Sequence, residues 1–255
     1  MSLYITSLNS GSNGNCYYVG NHNEAILVDV GLSCREVEKR MSRLNLSLQK
    51  VKAIFISHEH SDHIKGINVL VKKYLIPVYI SEGTYYKSGI NIPPHLIHYF
   101  QPNEKVNIGS FIVDTFPKHH DAKDPHSFTI TDLQTKIGVF TDIGITCDLL
   151  IHHFQSCHAA FLECNYDEEM LINGRYPYFL KKRISGGKGH LSNKQALDLF
   201  TKYKPSFMSH VFLSHLSKDN NNPDLAKELF SQHANGTEVI IAPRTEETPV
   251  YFIPS

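Results

Sequence analysis

The run Val51-Lys52-Ala53-Ile54-Phe55-Ile56, followed at once by Ser57-His58-Glu59-His60-Ser61-Asp62-His63, decides the reading of this chain. A β-branched and aromatic run of this length reads as a buried strand, and strand ends are where binding side chains collect. In an extended segment the period of two points His58 and His60 to the same side, while Asp62 and His63 fall just beyond, at the start of the next helix. Two imidazoles can hold one divalent metal, and an Asp/His pair can begin a second site about 3.5 to 4 Å away. The plain alternative is a solvated histidine-rich loop. Four ligand-type residues packed between His58 and His63, delivered by a strand, argue against it.

Working outward, the 255 residues suit one domain covering 1–255. Apolar residues at 41% and charged residues at 20% describe an ordinary globular chain rather than a disordered one. The formal net charge is zero, so bulk charge names no partner, and the sixteen histidines are informative through their clustering. Five cysteines (Cys16, Cys34, Cys147, Cys157, Cys164) lack CxxC spacing and fit a reducing compartment. The first residues have no basic, apolar leader pattern, and no run approaches the ~18 apolar residues of a membrane helix, so a cytoplasmic protein with no membrane association is expected.

Leu3 to Leu8 and Cys16 to Val19 read as a hairpin around the glycine-rich tip Asn9-Ser10-Gly11-Ser12-Asn13-Gly14-Asn15, where Ser12 and Asn13 can offer polar groups to an anion, a flexible hairpin turn being the plainer reading. Ala25 to Asp29 is a third strand. Ser33 caps a helix to about Leu44, and Ile64, Ile67, Leu70, Val71 and Leu75 predict one helix ended by Pro77. Further strands are predicted at Val78 to Ile80, Leu96 to Phe100, Ser110 to Phe116, Ser127 to Thr131, Ile137 to Thr141, Ala159 to Leu162, Phe207 to Leu213 and Val239 to Ala242. Helices are predicted at Cys147 to Gln155, Tyr176 to Ile184, Ser192 to Tyr203 and Pro223 to His233. The alternation argues for an α/β architecture with helices covering sheet faces.

Three later strands also end on metal-type ligands: Phe111 to Phe116 before His119-His120-Asp121, Lys136 to Thr141 before Asp142, and Phe207 to Leu213 before His215. Singly each is weak, but together they supply seven ligands suited to borderline divalent metals. With these motifs the chain resembles the metallo-β-lactamase fold superfamily, in its YycJ/WalJ-like branch of predicted exonucleases. The strings that carry the resemblance include Ser10-Gly11-Ser12-Asn13-Gly14-Asn15-Cys16, His58 to His63, His120-Asp121-Ala122, Thr141-Asp142-Ile143-Gly144, Leu162-Glu163-Cys164-Asn165, Tyr176-Pro177, Gly189-His190-Leu191-Ser192-Asn193 and His215 to Asn221.

The resemblance implies a four-layer αββα sandwich. It also implies a centre in which His58, His60 and His120 hold one metal, Asp62, His63 and His215 hold the other, and Asp142 bridges. His119 competes with His120 on sequence alone, and His-Asp-Ala matches the family string at His120. Tyr166 stands where the branch often has His, and His126-Ser127 replaces a glycine-containing turn. Zinc and manganese both suit such ligands. By the same resemblance His190 stabilises or protonates the leaving oxygen, with Glu163 orienting the machinery and Asp62 the third candidate catalytic residue.

Charge narrows the chemistry. Two divalent cations outweigh Asp62, Asp142 and a bridging hydroxide nucleophile, leaving a positive site that an anionic phosphodiester would neutralise. Ser192 and Gln195 read as a capping box, which places His190 just before a helix N-terminus, where Lys188, Ser192 and Asn193 are candidates to meet an anion. Arg175, Lys181, Lys182, Arg183, Lys188, Lys194, Lys202 and Lys204 form a basic strip with Asp198 as its only acid, and Arg175, Tyr176 and Tyr178 could meet a polyanion within it. A solvated helix face is the alternative.

The resulting expectation is a two-metal phosphodiesterase, by resemblance a 5′ to 3′ DNA exonuclease. RNA-processing relatives carry a clamp domain between the bridging Asp and the last His; the 73-position interval from Asp142 to His215 leaves no room for one. The alternatives are a hydrolase of a thioester or small cyclic phosphodiester, and a metal-binding regulatory module. Nothing in the sequence specifies an oligomeric state.

Overall fold

In β4 (Val51–Ile56) the side chains alternate between two buried worlds: Ala53 and Phe55 face one apolar cluster, Ile54 and Ile56 another. A strand buried on both faces is continuous in apolar residues instead of alternating with polar ones, which is why this run is so legible. A computed structural model describes residues 3–254. In chain order the other elements before the first half closes are β1 (Leu3–Asn9), β2 (Cys16–Gly20), β3 (Ala25–Val28), α1 (Cys34–Arg43), α2 (Ser61–Ile64), α3 (Ile67–Tyr74), β5 (Val78–Ile80), α4 (Glu82–Ser88) and β6 (Ile97–Tyr99). Then come β7 (Lys105–Ile108), β8 (Phe111–Pro117), β9 (His126–Asp132), β10 (Thr135–Phe140), α5 (Asp148–Phe154), β11 (Ala159–Glu163), α6 (Glu168–Asn173), α7 (Tyr178–Ser185), α8 (Asn193–Tyr203), β12 (His210–Ser214), α9 (Pro223–Ser231), β13 (Glu238–Ile241) and β14 (Tyr251–Ile253).

Two seven-stranded mixed sheets run β14-β1-β2-β3-β4-β5-β6 and β13-β12-β11-β10-β9-β8-β7. Ile26, Val28, Ala53 and Phe55 of the first meet Phe128, Ile130, Phe161 and Phe212 of the second in one inter-sheet core. The Phe55 ring lies 4.8 Å from Tyr79 and 5.5 Å from Phe128, so Phe55→Ala would open a cavity costing ~3–5 kcal/mol. On the outer faces, α1 and α3 cover the first sheet through Val37, Met41, Leu70 and Val71, while α5, α8 and α9 cover the second through Phe154, Leu199, Phe200 and Phe230. The result is the expected αββα sandwich.

Topology gathers the functional ends. β3, β4 and β5 are parallel, as are β10, β11, β12 and β13; β8 is antiparallel to β9, which is antiparallel to β10, so β8 also exits with them. All of these strands release the chain at one edge, the usual location of α/β ligand sites.

Several local readings change. The single helix expected over Ile64 to Leu75 is two, broken at Lys65-Gly66. The reason lies in the loop after β3: Gly66 N–H donates to the Val30 carbonyl, and a Cβ on Gly66 would sit 1.9 Å from the Leu32 carbonyl oxygen. The strand expected from Phe207 begins at His210, because residues 206–207 turn after Pro205. Helices α4 and α6 and strands β7 and β14 lie in segments where the sequence pattern predicts no element.

Candidate metal centre

Asp29 follows β3 directly and has φ 61°, as Asp142 after β10 has φ 55° and His215 after β12 has φ 57°. Non-glycine residues disfavour this left-handed region by roughly 1–2 kcal/mol, and such residues cluster at functional sites. Here the strain turns three side chains sharply off strand ends into one space. Gly31 makes room for a fourth: a Cβ there would lie 1.7 Å from the Asp62 carbonyl oxygen, which accepts from Asn15 N–H at 2.7 Å.

In that space His58, His60 and His120 bring ring nitrogens within 4.8 Å of one another; His58, His63 and Asp142 do the same, as do Asp62, His63 and His215, and Asp142, Glu163, His190 and His215. The groups share members, so all seven ligands anticipated from the sequence converge. His120 is buried, whereas His119 is exposed and touches the region only through its carbonyl, which accepts from Gly144 N–H. That difference separates the two candidates by geometry. His126 is turned away, its Nδ1 on the Asp124 carbonyl, and Tyr166 is buried in a bridge to Ser192.

Outer contacts set the imidazole tautomers. Asp29 accepts from Ser57 N–H at 2.8 Å, from Ser57 Oγ at 2.8 Å and from His63 Nδ1 at 2.7 Å, which leaves the His63 Nε2 lone pair aimed inward. His120 Nδ1 donates to the Gly189 carbonyl at 3.1 Å. His190 and His215 both direct Nδ1 to Glu163 Oε1, at 2.8 and 3.1 Å, while Glu163 Oε2 accepts from the backbone N–H groups of Ile143 and Leu191. Asn15 Nδ2 donates to Asp62 Oδ2 at 3.1 Å. Lys118, buried in the same region, donates to the Thr141 carbonyl at 2.7 Å, and burial pushes its ammonium down in pKa.

Electrostatics express the crowding. Burial pushes His58 well down and His120 down to about 4. For His215 burial acts in the same direction, but Asp142, Asp62 and Glu163 outweigh it and raise the ring to about 10; Asp142 and Asp29 likewise raise His63 against burial. Burial would raise Glu163, yet His190 and His215 hold it down at about 2.

A divalent cation fits these residues. With the His63 proton on Nδ1, Asp142 Oδ2 and His215 Nε2 are buried with no hydrogen bond among the described residues. The inward lone pair of His63 Nε2 faces Asp142 Oδ2 at 3.1 Å, and His58 Nε2 faces His60 Nδ1 at 3.0 Å. Opposed lone pairs at these distances repel unless a proton or cation lies between them, and unpartnered buried polar atoms are costly. A cation satisfies both.

Beside the cluster opens a cavity of about 210 Å³, walled by Ser12, Asn165, Tyr176, Arg183, His190 and Ser217. Arg183 Nε pairs with Asp121 Oδ2 at 2.5 Å across its rim, and Tyr176 donates to Asp219 at 2.9 Å. The other candidate substrate contacts lie elsewhere. Ser192 caps α8 in a full capping box and donates to Glu168; Asn193 is buried against Asn221 and Cys164; Asn13 donates to the Arg244 carbonyl; Arg175 and Lys188 are exposed outside the cavity wall. The basic strip divides as well. Lys194 pairs with Glu168 and Lys202 with Asp198 on α8, while Lys181, Lys182 and Arg183 share α7.

Asp29, Ser57, Asn15 and Lys118 were not anticipated as site residues, and Arg183 only as one member of the basic strip. The signal for Asp29 was present, a carboxylate closing an apolar strand as Asp142 does. The others are identified only by contacts between distant segments.

Comparison with known proteins agrees with this geometry. A profile described as "Metallo-beta-lactamase superfamily" matches residues 10–186. The chain belongs to the metallo-beta-lactamase superfamily. Within it, the chain is 36% identical over 236 residues to exodeoxyribonuclease YycJ of Bacillus anthracis, covering 91% of this chain and 89% of that one. It is 31% identical to exodeoxyribonuclease WalJ of Streptococcus pneumoniae serotype 2, covering 86% and 83%. These relatives place it in the YycJ/WalJ-like branch of the superfamily. The fold is shared with the metallo-beta-lactamase fold protein YhfI of Bacillus subtilis, at TM-score 0.77 and 17% identity over 99% of this chain and 100% of that one.

Proposed function

We propose that this member of the superfamily is a dinuclear metal-dependent phosphodiesterase that removes nucleotides from DNA in the 5′ to 3′ direction. The observation that carries the chemistry is a chain of His/Asp groups with shared members, in which His58, His63 and Asp142 join the group His58, His60 and His120 to the group Asp62, His63 and His215, with His190 in the wall of the cavity beside them. The choice of DNA rests on the exodeoxyribonuclease relatives.

In this reading His58, His60 and His120 hold one ion, Asp62, His63 and His215 the other, and Asp142 both, zinc or manganese suiting the set. Bound there, two divalent cations supply a water that ionises near neutral pH and positive charge for the oxygens of an in-line displacement. The chain does the rest. Asp29 and Glu163 hold His63 and His215 in the tautomers that present Nε2 lone pairs. Glu163 also fixes Nδ1–H of His190, so protonated His190 can give the proton on Nε2 to the departing 3′ oxygen of the phosphodiester. Arg183, Ser12 and Ser217 in the cavity wall supply charge and donors for the phosphate beyond the scissile one. Among the described residues no helix is long and apolar enough to cross a membrane. We place the activity in the cytoplasm, in keeping with five unpaired cysteines.

Metal-replete protein is expected to degrade 5′-labelled duplex DNA, and His60→Ala or Asp142→Asn to abolish the activity. No digestion of any nucleic acid alongside rapid cleavage of a thioester would overturn the proposal in favour of a small-substrate hydrolase.

A further inference from the structure

Helix α7 has no buried residue, although it stands directly over the candidate metal centre. One face, Leu180, Arg183 and Ile184, walls the 210 Å³ cavity beside His190. The opposite face, Tyr178, Lys181, Lys182 and Ser185, walls a second groove of about 570 Å³, closed on its far side by Ile172 and Glu168. The spacings i, i+3, i+4 and i, i+3, i+4, i+7 are those of two stripes on one helix. At about 100° per residue Phe179 falls between the stripes, on the crest. It is 73% exposed, beside Tyr178 at 72%.

An exposed aromatic crest between two grooves is unusual for a helix held so loosely, and its charges select what crosses it. Lys181, Lys182 and Arg183 are consecutive, and Lys182 Nζ sits 5.2 Å from the centre of the Tyr178 ring. Of the acids nearby, Glu168 is neutralised by Lys194, and Asp121 by Arg183 itself. A flexible polyanion with flat apolar units complements this surface; aromatic side chains interleaved with Lys and Arg are how single strands are held without sequence preference. An uncharged protein surface would leave Lys181 and Lys182 without counter-charges.

We propose that α7 is a ridge over which a single-stranded segment of nucleic acid passes from the outer groove into the metal-centre cavity. A base stacks on Phe179, and Lys182 and Arg183 take phosphates on either side. With a helix about 10–12 Å across and at least ~3.4 Å per nucleotide, roughly three nucleotides make the crossing. The inference deepens the phosphodiesterase reading and rests on it for direction only: the substrate that reaches the metals is an unpaired end, so duplex ends must fray to enter.

The test uses metal-loaded protein and a fluorescent phosphorothioate 12-mer, single-stranded and as a blunt duplex, read by anisotropy. Hydrolysis of bis(p-nitrophenyl) phosphate and of the normal 12-mer is followed in parallel. Phe179→Ala and Tyr178→Ala are expected to weaken single-strand binding about 5- to 30-fold and to raise KM more than they lower kcat on the 12-mer, with Phe179→Trp restoring both. Hydrolysis of bis(p-nitrophenyl) phosphate, too small to reach the ridge, is expected to change less than twofold. Unchanged single-strand binding by Phe179→Ala, or an equal loss on blunt duplex, would overturn the ridge. So would a shift in oligomeric state in Phe179→Ala with DNA binding intact, which would assign the crest to a second copy of the chain. If the wild type hydrolyses no phosphodiester while Phe179→Ala still weakens strand binding, the ridge stands and the phosphodiesterase reading falls.

Discussion

Glu163→Gln offers the sharpest test of how the centre is organised. The carboxylate is fully buried; one oxygen accepts from Nδ1 of His190 and His215, the other from the backbone N–H groups of Ile143 and Leu191. Glutamine has the same shape but only one acceptor oxygen. If that oxygen keeps the two backbone donors, the amide N–H groups face the two Nδ1 atoms and force both rings to carry their proton on Nε2. His215 then presents a proton, not a lone pair, to the metal site. If the amide turns over, two backbone N–H groups meet an NH₂ group and go unsatisfied, at ~1–3 kcal/mol each. The first orientation is therefore preferred, and with it the lone pair that His215 offers to metal is lost.

Losing such an outer partner typically reduces metal affinity or activity 10–100-fold. Without metal the carboxylate also faces protonated His215, so its removal breaks a buried pair and should cost about 3–5 kcal/mol, whereas bound metal takes the place of that proton. The assay is a competition titration against a chromophoric chelator with metal content by mass spectrometry, alongside urea unfolding in the presence of chelator. We expect the ion at Asp62, His63 and His215 to be lost first and the unfolding midpoint in chelator to fall. Wild-type affinity for two ions per chain, together with a normal rate, would refute the tautomer argument.

Other substitutions separate holding metal from using it. His190→Gln is expected to lower kcat by about 10²- to 10⁴-fold at unchanged metal content, as for loss of a general acid; equal loss of metal would make His190 a ligand instead. Asp29→Asn breaks the Asp29–His63 contact at 2.7 Å and should weaken metal binding without altering the DNA-length dependence of KM, checked by the same chelator titration. In chelator-treated protein, His215 is held protonated up to about 10. Its stabilising contribution is full below its unfolded value of about 6.5 and is lost as pH rises from there through about 10. Bound metal replaces that proton, so the loss should vanish on reconstitution; thermal melts at pH 6.5, 8 and 9.5 with and without metal would show it, and identical slopes would count against it.

Much of the site is legible in the sequence because each candidate ligand sits in a local pattern. An apolar strand ends, a polar residue of metal-binding type follows, and the period of the strand orients it: His58 and His60 after β4, Asp142 after β10, His215 after β12. The αββα fold is legible through the same strings and through the two-faced burial that makes β4 and β11 continuous in apolar residues. Substrate contacts are harder to read. Ser192 and Asn193 have the composition of an anion site, yet one caps α8 and the other is locked to Asn221.

The sequence by itself determined most of the strands, the metal-type residues at their ends and the capping box before α8, since all are set by residues within a few positions of one another. Only the tertiary structure decided what depends on distant segments meeting. Contact with the Leu32 carbonyl requires glycine at position 66 and splits the helix after His63. Exit from β8 buries His120 and leaves His119 in solvent, Asp29 reaches across to His63, and Glu163 couples two histidines far along the chain. The ridge of α7 belongs to this second group, because a Tyr-Phe-Leu run in a helix ordinarily packs inward, and among the described residues none covers Tyr178 and Phe179, which face water.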